Sequence, residues 1–485
     1  MNASYRNDGK RILQVAQSPY AAEVDLAGLD HHPRSAAVLD PVSVADVLRN
    51  AFVYPPHSIY RDVKLSTYGF DPGQDMSGAP DFRFEYGGMP PAETADDPGC
   101  DYVDAYHRRL CDAVDRVSVS MRRPWMLQSG GKDSTSLAIA MAERRPETCC
   151  ITYLGGREEN EVDSARAIAR QLGLRHEVLE CDPGRAYDRY LALVDQMPLL
   201  TADFALLSYA DLMAEIVAEG GDGIVDGLGS DVYFGAPVAR RQRLLMLLAR
   251  HLRLPRLLFT APLTGSSFKL CFALGTLQMD AFERFFPGSR FSDAEVDELL
   301  GRAIAAQSRA RLELFRAEIG RMPTVHARRV LSIVISESAE AFAKGLYTAH
   351  AAGLRMAYPF CDKTLRDWVA GGIPASLRVD RRTGANKVLV RQHIARHFGA
   401  LPYVAGKGSF RFDLCGLAAA RYEQVHAFAQ QTRAVVPGAV AWLERHRKWL
   451  DNKYHASRFY LLAVTLPWLH SRMVGQAASP RRRQA

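Results

Sequence analysis

The sequence predicts an α/β protein in which a doubly wound parallel sheet is preceded by a short α+β region and followed by a largely helical C-terminal half. Three observations predict it. Between residues 124 and 226, short apolar runs of strand type alternate with stretches whose apolar residues recur at helical spacing, the pattern of repeated strand–helix–strand units. Two of those runs end in glycine turns, Ser129-Gly-Gly-Lys-Asp-Ser134 and Asp226-Gly-Leu-Gly-Ser-Asp231. From Arg240 onward helical periodicity dominates.

Composition sets the outer bounds. A chain of 485 residues has room for two or three domains, and 48% apolar with 24% charged residues is ordinary for a soluble globular protein. The net charge of +7 is spread over the whole length, which suits anionic ligands and does not by itself argue for nucleic acid. Eight cysteines occur with no Cys-x-x-Cys spacing, so reduced thiols and a cytoplasmic location are expected. The N-terminus carries no secretory segment, and no stretch approaches the roughly 20 apolar residues that span a bilayer. The longest candidate, Phe459 to Leu469, contains Pro467 and is expected to be a buried helix.

In chain order, Asp40 to Phe52 reads as a capped amphipathic helix, and prolines from Pro55 to Pro91 then interrupt the pattern. A boundary falls near residues 88–100, giving a reduced N-terminal region (1–94), a main domain (95–475) and a basic tail (476–485) expected to be disordered. Asp101 to Met121 is helical and leads into the strand Pro124 to Leu127. Helix Thr135 to Glu143, strand Thr148 to Leu154, helix Glu159 to Leu172, strand Arg175 to Glu180, helix Phe204 to Glu219 and strand Gly223 to Asp226 follow. Arg240 to Arg253 is a basic amphipathic stretch, expected to pack on the domain with its arginines solvated.

The two turns carry the chemistry. Gly130 and Gly131 let backbone N–H groups approach an anion at the positive end of the following helix, with Ser129, Ser134 and Thr135 adding hydroxyls. A carboxylate at Asp133 beside phosphates calls for a cation between them, and Mg²⁺ shared with phosphate oxygens is the usual arrangement. The spacing is not that of a Walker A loop. In the second turn Gly227 and Gly229 permit close approach, and Asp231 offers the metal a second carboxylate.

Taken with Gly353-Leu-Arg-Met-Ala-Tyr-Pro359-Phe-Cys-Asp362, Asn386-Lys-Val-Leu-Val-Arg391, Leu401-Pro402 and Lys407, these motifs fall in one order, and the chain resembles the synthetase domain of the asparagine synthetase family over roughly residues 95–470. The resemblance implies a sheet of the PP-loop ATP pyrophosphatase type. It also implies that a carboxylate attacks the α-phosphate of ATP, an acyl-adenylate and pyrophosphate form, and a nitrogen nucleophile displaces AMP. Carried over, Ser129, Gly130, Gly131 and Ser134 hold pyrophosphate, Asp133 and Asp231 ligate Mg²⁺, Leu127 and Gly227 border the adenosine, and Lys407 stabilises the charge that develops. Lys387 and Arg391 match basic positions of the pattern and rank second, facing either phosphate or acidic groups.

The departures shape the expectation. Family members with glutaminase activity carry a cysteine after the initiator methionine, where this chain has Asn2, and fewer than about 100 residues precede the synthetase-like region. The family's Glu or Tyr between the glycines of the second turn is Leu228, the later motif differs at Arg355 and Ala357, and Lys132 resembles the sulfur-metabolism branches. An amide ligase using a small-molecule or peptide carboxylate and an amine not taken from glutamine is expected, as in β-lactam synthetases and lasso-peptide cyclases, in specialised metabolism. A general base displaced from position 228 has candidates in Glu337, Glu340, Tyr347 and His350. A homodimer or a biosynthetic partner protein is left open. The rivals are a thiolation or RNA-modifying enzyme, favoured by Lys132 but lacking paired cysteines and an RNA-binding module, and a non-catalytic relative acting as a subunit, favoured by Leu228.

Overall fold

The computed structural model describes residues 4–7, 10–16, 38–66, 99–155, 161–234, 267–278, 291–322, 337–380, 382–383, 385–399 and 412–478. Residues 88–98 of the boundary expected near 88–100, the basic stretch 240–253, Lys407 and residues 479–485 lie outside them. A small sheet forms first: β1 (Ser4–Asn7) pairs antiparallel with β2 (Lys10–Ala16), which pairs parallel with β3 (Val63–Ser66). Between β2 and β3 lies α1 (Pro41–Asn50), where Asp40 caps the helix by accepting from the Val42 N–H at 3.2 Å. The expected polar face of α1 is not solvated. Asp46 and Arg49 are buried, because Arg311 pairs with Asp40 and Asp46 while Arg49 donates to Asp293 and Ser308.

The main sheet follows the predicted alternation: α2 (Tyr102–Ser118), β4 (Pro124–Leu127), α3 (Lys132–Arg144), β5 (Cys149–Leu154), α4 (Glu161–Gln171), β6 (Arg175–Glu180), α5 (Pro183–Leu193), α6 (Leu206–Ala218), β7 (Gly223–Val225) and α7 (Ser230–Phe234). A fifth strand, β8 (Arg355–Ala357), comes from the C-terminal half. The order is β6-β5-β4-β7-β8 and every pairing is parallel. Adjacent strand residues enter opposite cores. Trp125, Cys149, Ile151, Ile224 and Met356 belong to one, and Met126, Cys150, Val225 and Ala357 to the other. Two apolar faces on one sheet are what a doubly wound fold requires, since helices must cover both. The chain moves outward from β4 through β5 to β6, then returns to place β7 on the other side of β4. That reversal is a topological switch point, so the turns after β4 and β7 are neighbours at the strands' C-terminal edge.

The C-terminal half is helical among the described residues: α8 (Phe268–Gln278), α9 (Asp293–Leu300), α10 (Ala305–Ala310), α11 (Glu313–Arg321), α12 (Phe342–Ala351), α13 (Lys363–Gly371), α14 (Ala375–Arg378), α15 (Val388–Phe398), α16 (Leu414–Gln431), α17 (Ala439–His446) and α18 (Lys453–Ala478). Phe459 to Leu469 is buried within α18, as expected, and Tyr190 donates to the Val464 carbonyl from α5. The helix continues to Ala478, three residues into the segment expected as tail. No described helix is long and apolar enough to cross a membrane.

Burial also fixes an acid response. Desolvation pushes His57 down to about 2, His393 to about 3 and His455 to about 4. Their unfolded values lie near 6.5. Between the two values the unfolded chain binds more protons than the fold does, so stability is lost as pH falls through the unfolded value, by up to about 1.4 kcal/mol per pH unit for each residue. Urea unfolding midpoints are expected to drop between pH 7 and pH 5. A flat profile there would contradict the buried placement of these rings.

Candidate active site

The site grows from β4. Pro124 to Met126 are buried, Leu127 is half-buried, and Gln128 continues the pairing by donating its N–H to the Ile151 carbonyl at 2.8 Å. The chain then turns through Ser129, Gly130 and Gly131 into α3, with Gly131 as N-cap. Neither glycine has positive φ, Gly131 standing at −88°. What Gly130 supplies is space: a Cβ there would lie 3.3 Å from Ser164 Cβ. Ser129 and Ser134 hold the turn's shape. The Ser129 N–H donates to Ser134 Oγ at 3.2 Å, the Gly131 N–H donates to Ser129 Oγ at 3.2 Å, and Ser134 Oγ donates to the Ser129 carbonyl at 2.8 Å. Thr135, expected to face the anion, is wholly buried and donates its hydroxyl to the Gly131 carbonyl at 2.7 Å. The anion-facing groups are therefore the first-turn N–H groups of α3, which no intrahelical carbonyl satisfies.

The second turn packs directly on the first. A Cβ on Gly227 would lie 3.5 Å from both the Asp133 carbonyl carbon and the Ser134 nitrogen. Gly229 has φ +100°, and a Cβ there would come within 2.7 Å of Cys361 Sγ, so only glycine fits. Asp226, which sequence reasoning treated as a strand end, is a buried carboxylate bonded by the Tyr209 hydroxyl and by the Leu228 N–H at 3.2 Å. Burial pushes its pKa above the usual carboxylate range, against the Tyr209 hydrogen bond and the nearby Lys344 ammonium. Leu228 packs half-buried against the core.

The strongest feature is one the sequence ranked second. Lys387 is 2% exposed, and its Nζ lies 2.6 Å from Asp133 Oδ2, 2.6 Å from Asp231 Oδ1 and 2.8 Å from Ser230 Oγ. Burial opposes its charge, but the two carboxylates outweigh burial and hold its pKa above the ordinary lysine value. Lys387 also sits in the left-handed region, at φ 57° and ψ 44°, as the N-cap of α15. A side-chain-bearing residue held there by its surroundings stores strain of about 1–3 kcal/mol, a pattern that clusters at functional sites. The two carboxylates proposed for a metal thus already converge on one cation. Asp133 Oδ1 is moreover buried with no hydrogen-bond partner among the described residues. That orphaned oxygen and the convergent pair fit a hard divalent ion such as Mg²⁺.

The remaining predicted residues divide. Ser129, Gly130, Gly131, Asp133, Ser134, Gly227 and Asp231 come together, with Leu127 at the strand end beneath them. Arg391 turns its Nε to the Asn386 carbonyl at 3.0 Å. Of the base candidates, Tyr347 is buried with its pKa pushed up by desolvation. His350 is exposed in the last turn of α12, eight residues or about 12 Å along the helix from Phe342, whose ring lies by Gly229.

Comparisons with known proteins place this geometry in context. The chain is 32% identical over 131 residues to a 7-cyano-7-deazaguanine synthase of Acinetobacter baylyi, a match covering 24% of this chain and 56% of that protein. The chain thus spans about half the length of that relative. Among solved structures, an NMN synthetase from Francisella tularensis aligns with 49% of this chain and 94% of its own, at 12% identity and a TM-score of 0.24. An NH3-dependent NAD synthetase from Campylobacter jejuni, in complex with the nitrate ion, aligns with 47% of this chain and 99% of its own, at 14% identity and a TM-score of 0.21. The asparagine synthase family model matches residues 105–402, which include both glycine turns, β8 and Lys387. With more than half of its length matched by that model, the chain belongs to the asparagine synthase family.

Proposed function

We propose that the protein forms an amide bond at the expense of ATP, through an acyl-adenylate. A substrate carboxylate oxygen attacks the α-phosphorus, pyrophosphate leaves, an amine attacks the acyl carbon, and AMP and a proton are released. The observation that carries this reading is the convergence of Asp133 and Asp231 on one buried cation beside the α3 N-terminus. Mg²⁺, when bound, would neutralise phosphate charge there. Ser129, Gly130, Gly131 and Ser134 hold pyrophosphate through the turn they shape, Leu127 and Gly227 border the adenosine, and Lys407 supplies a fixed charge at the reacting phosphate.

The nitrogen comes from an amine other than glutamine's amide, a choice tested by the glutamate readout. The substrates are small-molecule or peptide acids and amines of specialised metabolism, and the free cysteines suit the cytoplasm. The test supplies pools of carboxylic acids with ATP, Mg²⁺ and hydroxylamine as surrogate amine. Hydroxamate, AMP and pyrophosphate are expected in equal amounts, with no glutamate released when glutamine is added. ADP and phosphate as products would overturn the reading, and glutamate release would overturn the choice of amine. The likeness to a 7-cyano-7-deazaguanine synthase favours a second reading, activation of a carboxylic acid carried on a purine-like heterocycle. AMP release supported only by acids of that ring type would select it.

A further inference from the structure

Away from the strand ends, α2, α3 and α15 bring a second set of reactive side chains together. His107 and Cys111 stand four residues apart on one face of α2, and Glu143 comes from the last turn of α3. His107 Nε2, Cys111 Sγ and a Glu143 carboxylate oxygen all lie within 4.8 Å of one another. Nε2 is 3.6 Å from Sγ and 2.8 Å from Oε2. Zinc bonds of about 2.0–2.1 Å to nitrogen and about 2.3 Å to sulfur put tetrahedral N and S ligands about 3.5 Å apart. The nitrogen and sulfur already have that separation. Only the Glu143 oxygen must open, to about 3.4 Å, and its side chain is 51% exposed and able to swing.

Behind His107 runs a hydrogen-bond chain to which its tautomer is coupled. Its Nδ1 lies 2.9 Å from His393 Nε2, His393 Nδ1 lies 2.9 Å from Ser136 Oγ, and Ser136 Oγ lies 2.9 Å from the Tyr106 hydroxyl. His393 is 3% exposed, buried between α2 and α3. The chain can run in either direction. In one, His107 Nε2–H donates to Glu143; in the other, Nδ1–H donates to His393 and the Nε2 lone pair is left between the Glu143 carboxylate and the Cys111 sulfur, where a cation binding all three satisfies it. Metal-ligating histidines have this second form, with the distal N–H anchored by a partner.

We propose that His107, Cys111 and Glu143 form a zinc-type cation site, with His393 as its positioning residue and the fourth coordination position open to water. An imidazole, thiolate and carboxylate set suits borderline-soft Zn²⁺, whereas the oxygen-only pair Asp133 and Asp231 suits Mg²⁺. On binding, the Cys111 thiol gives up its proton to solvent. Arg144 lies beside the thiol and pairs with both Glu143 at 3.4 Å and Asp115 at 3.2 Å, so it can release Glu143 and keep Asp115. Glu143 is eleven residues from Lys132, about 16 Å along α3 from the phosphate turn, and the site stands independently of the proposed reaction.

The test titrates Co²⁺ into the metal-free full-length protein. One equivalent is expected to produce a thiolate-to-Co²⁺ charge-transfer band with release of one proton, and Zn²⁺ should bleach it. His107→Ala and Cys111→Ser should abolish the band, and His393→Phe should weaken binding about 10–100-fold. Glu143→Gln, a change at an exposed position that leaves folding intact, should also weaken binding, while Asp133→Asn leaves the band unchanged. Absence of the band at one equivalent, or its survival in His107→Ala or at full affinity in Glu143→Gln, would overturn the proposal.

Discussion

Asp133→Asn is expected to remove the Mg²⁺-dependent part of ATP binding and to lower adenylation by about 10³-fold or more. The substitution keeps the side chain's shape and lets its oxygen still accept from Lys387, now 2.6 Å away, but it deletes the charge that a divalent ion needs. The orphaned Oδ1 makes the site sensitive, because it is the buried oxygen with no other duty. Calorimetry separates the effects without knowledge of the acid substrate. Wild type should bind ATP more tightly with Mg²⁺ than in chelator, and the variant should bind equally in both. Near-ultraviolet circular dichroism should be unchanged. A variant that keeps the full Mg²⁺ increment would show that the carboxylate serves Lys387 alone.

How much of this was legible in the sequence depended on length and locality. The strands β4 to β6 and the helices between them are four residues or longer and carry continuous apolar or periodic patterns, so their order and the two glycine turns could be read directly. The strand β8 has three residues, too few for a period, and joins the sheet only through its pairing with β7. That the two turns meet was expected from Asp133 and Asp231 sharing a metal, but its cause was invisible, because it depends on β7 inserting beside β4, a contact across about 100 residues. α1 showed its cap and its spacing but not its neighbours. Its polar residues are buried because Arg311, far along the chain, neutralises them.

Lys387 is the sharpest case of a role that sequence underweighted. As one lysine among basic residues at the start of a helix it stands out little in the sequence, whereas its carboxylate and hydroxyl partners lie more than 150 residues away, and its backbone N–H is held by the Arg378 carbonyl at 2.7 Å. Those contacts yield a prediction in two separable parts. Lys387→Ala and Lys387→Gly both delete the ammonium, so Asp133 and Asp231 face each other uncompensated. Both variants should lose stability in chelator, by a few kcal/mol at most because Asp231 is 47% exposed and screened. Excess Mg²⁺ should restore their melting temperatures while leaving wild type nearly unmoved, since the ion replaces the missing charge only where the ammonium is gone. The backbone supplies the second part. Alanine must still adopt φ 57°, whereas glycine does so without a Cβ clash, so the glycine variant should be more stable than the alanine one by about 1 kcal/mol. Thermal unfolding of the three proteins with and without Mg²⁺ measures both. Equal stabilities of the two variants would remove the backbone strain, and a melting temperature in either variant that ignores Mg²⁺ would remove Lys387 from the cation position between the carboxylates.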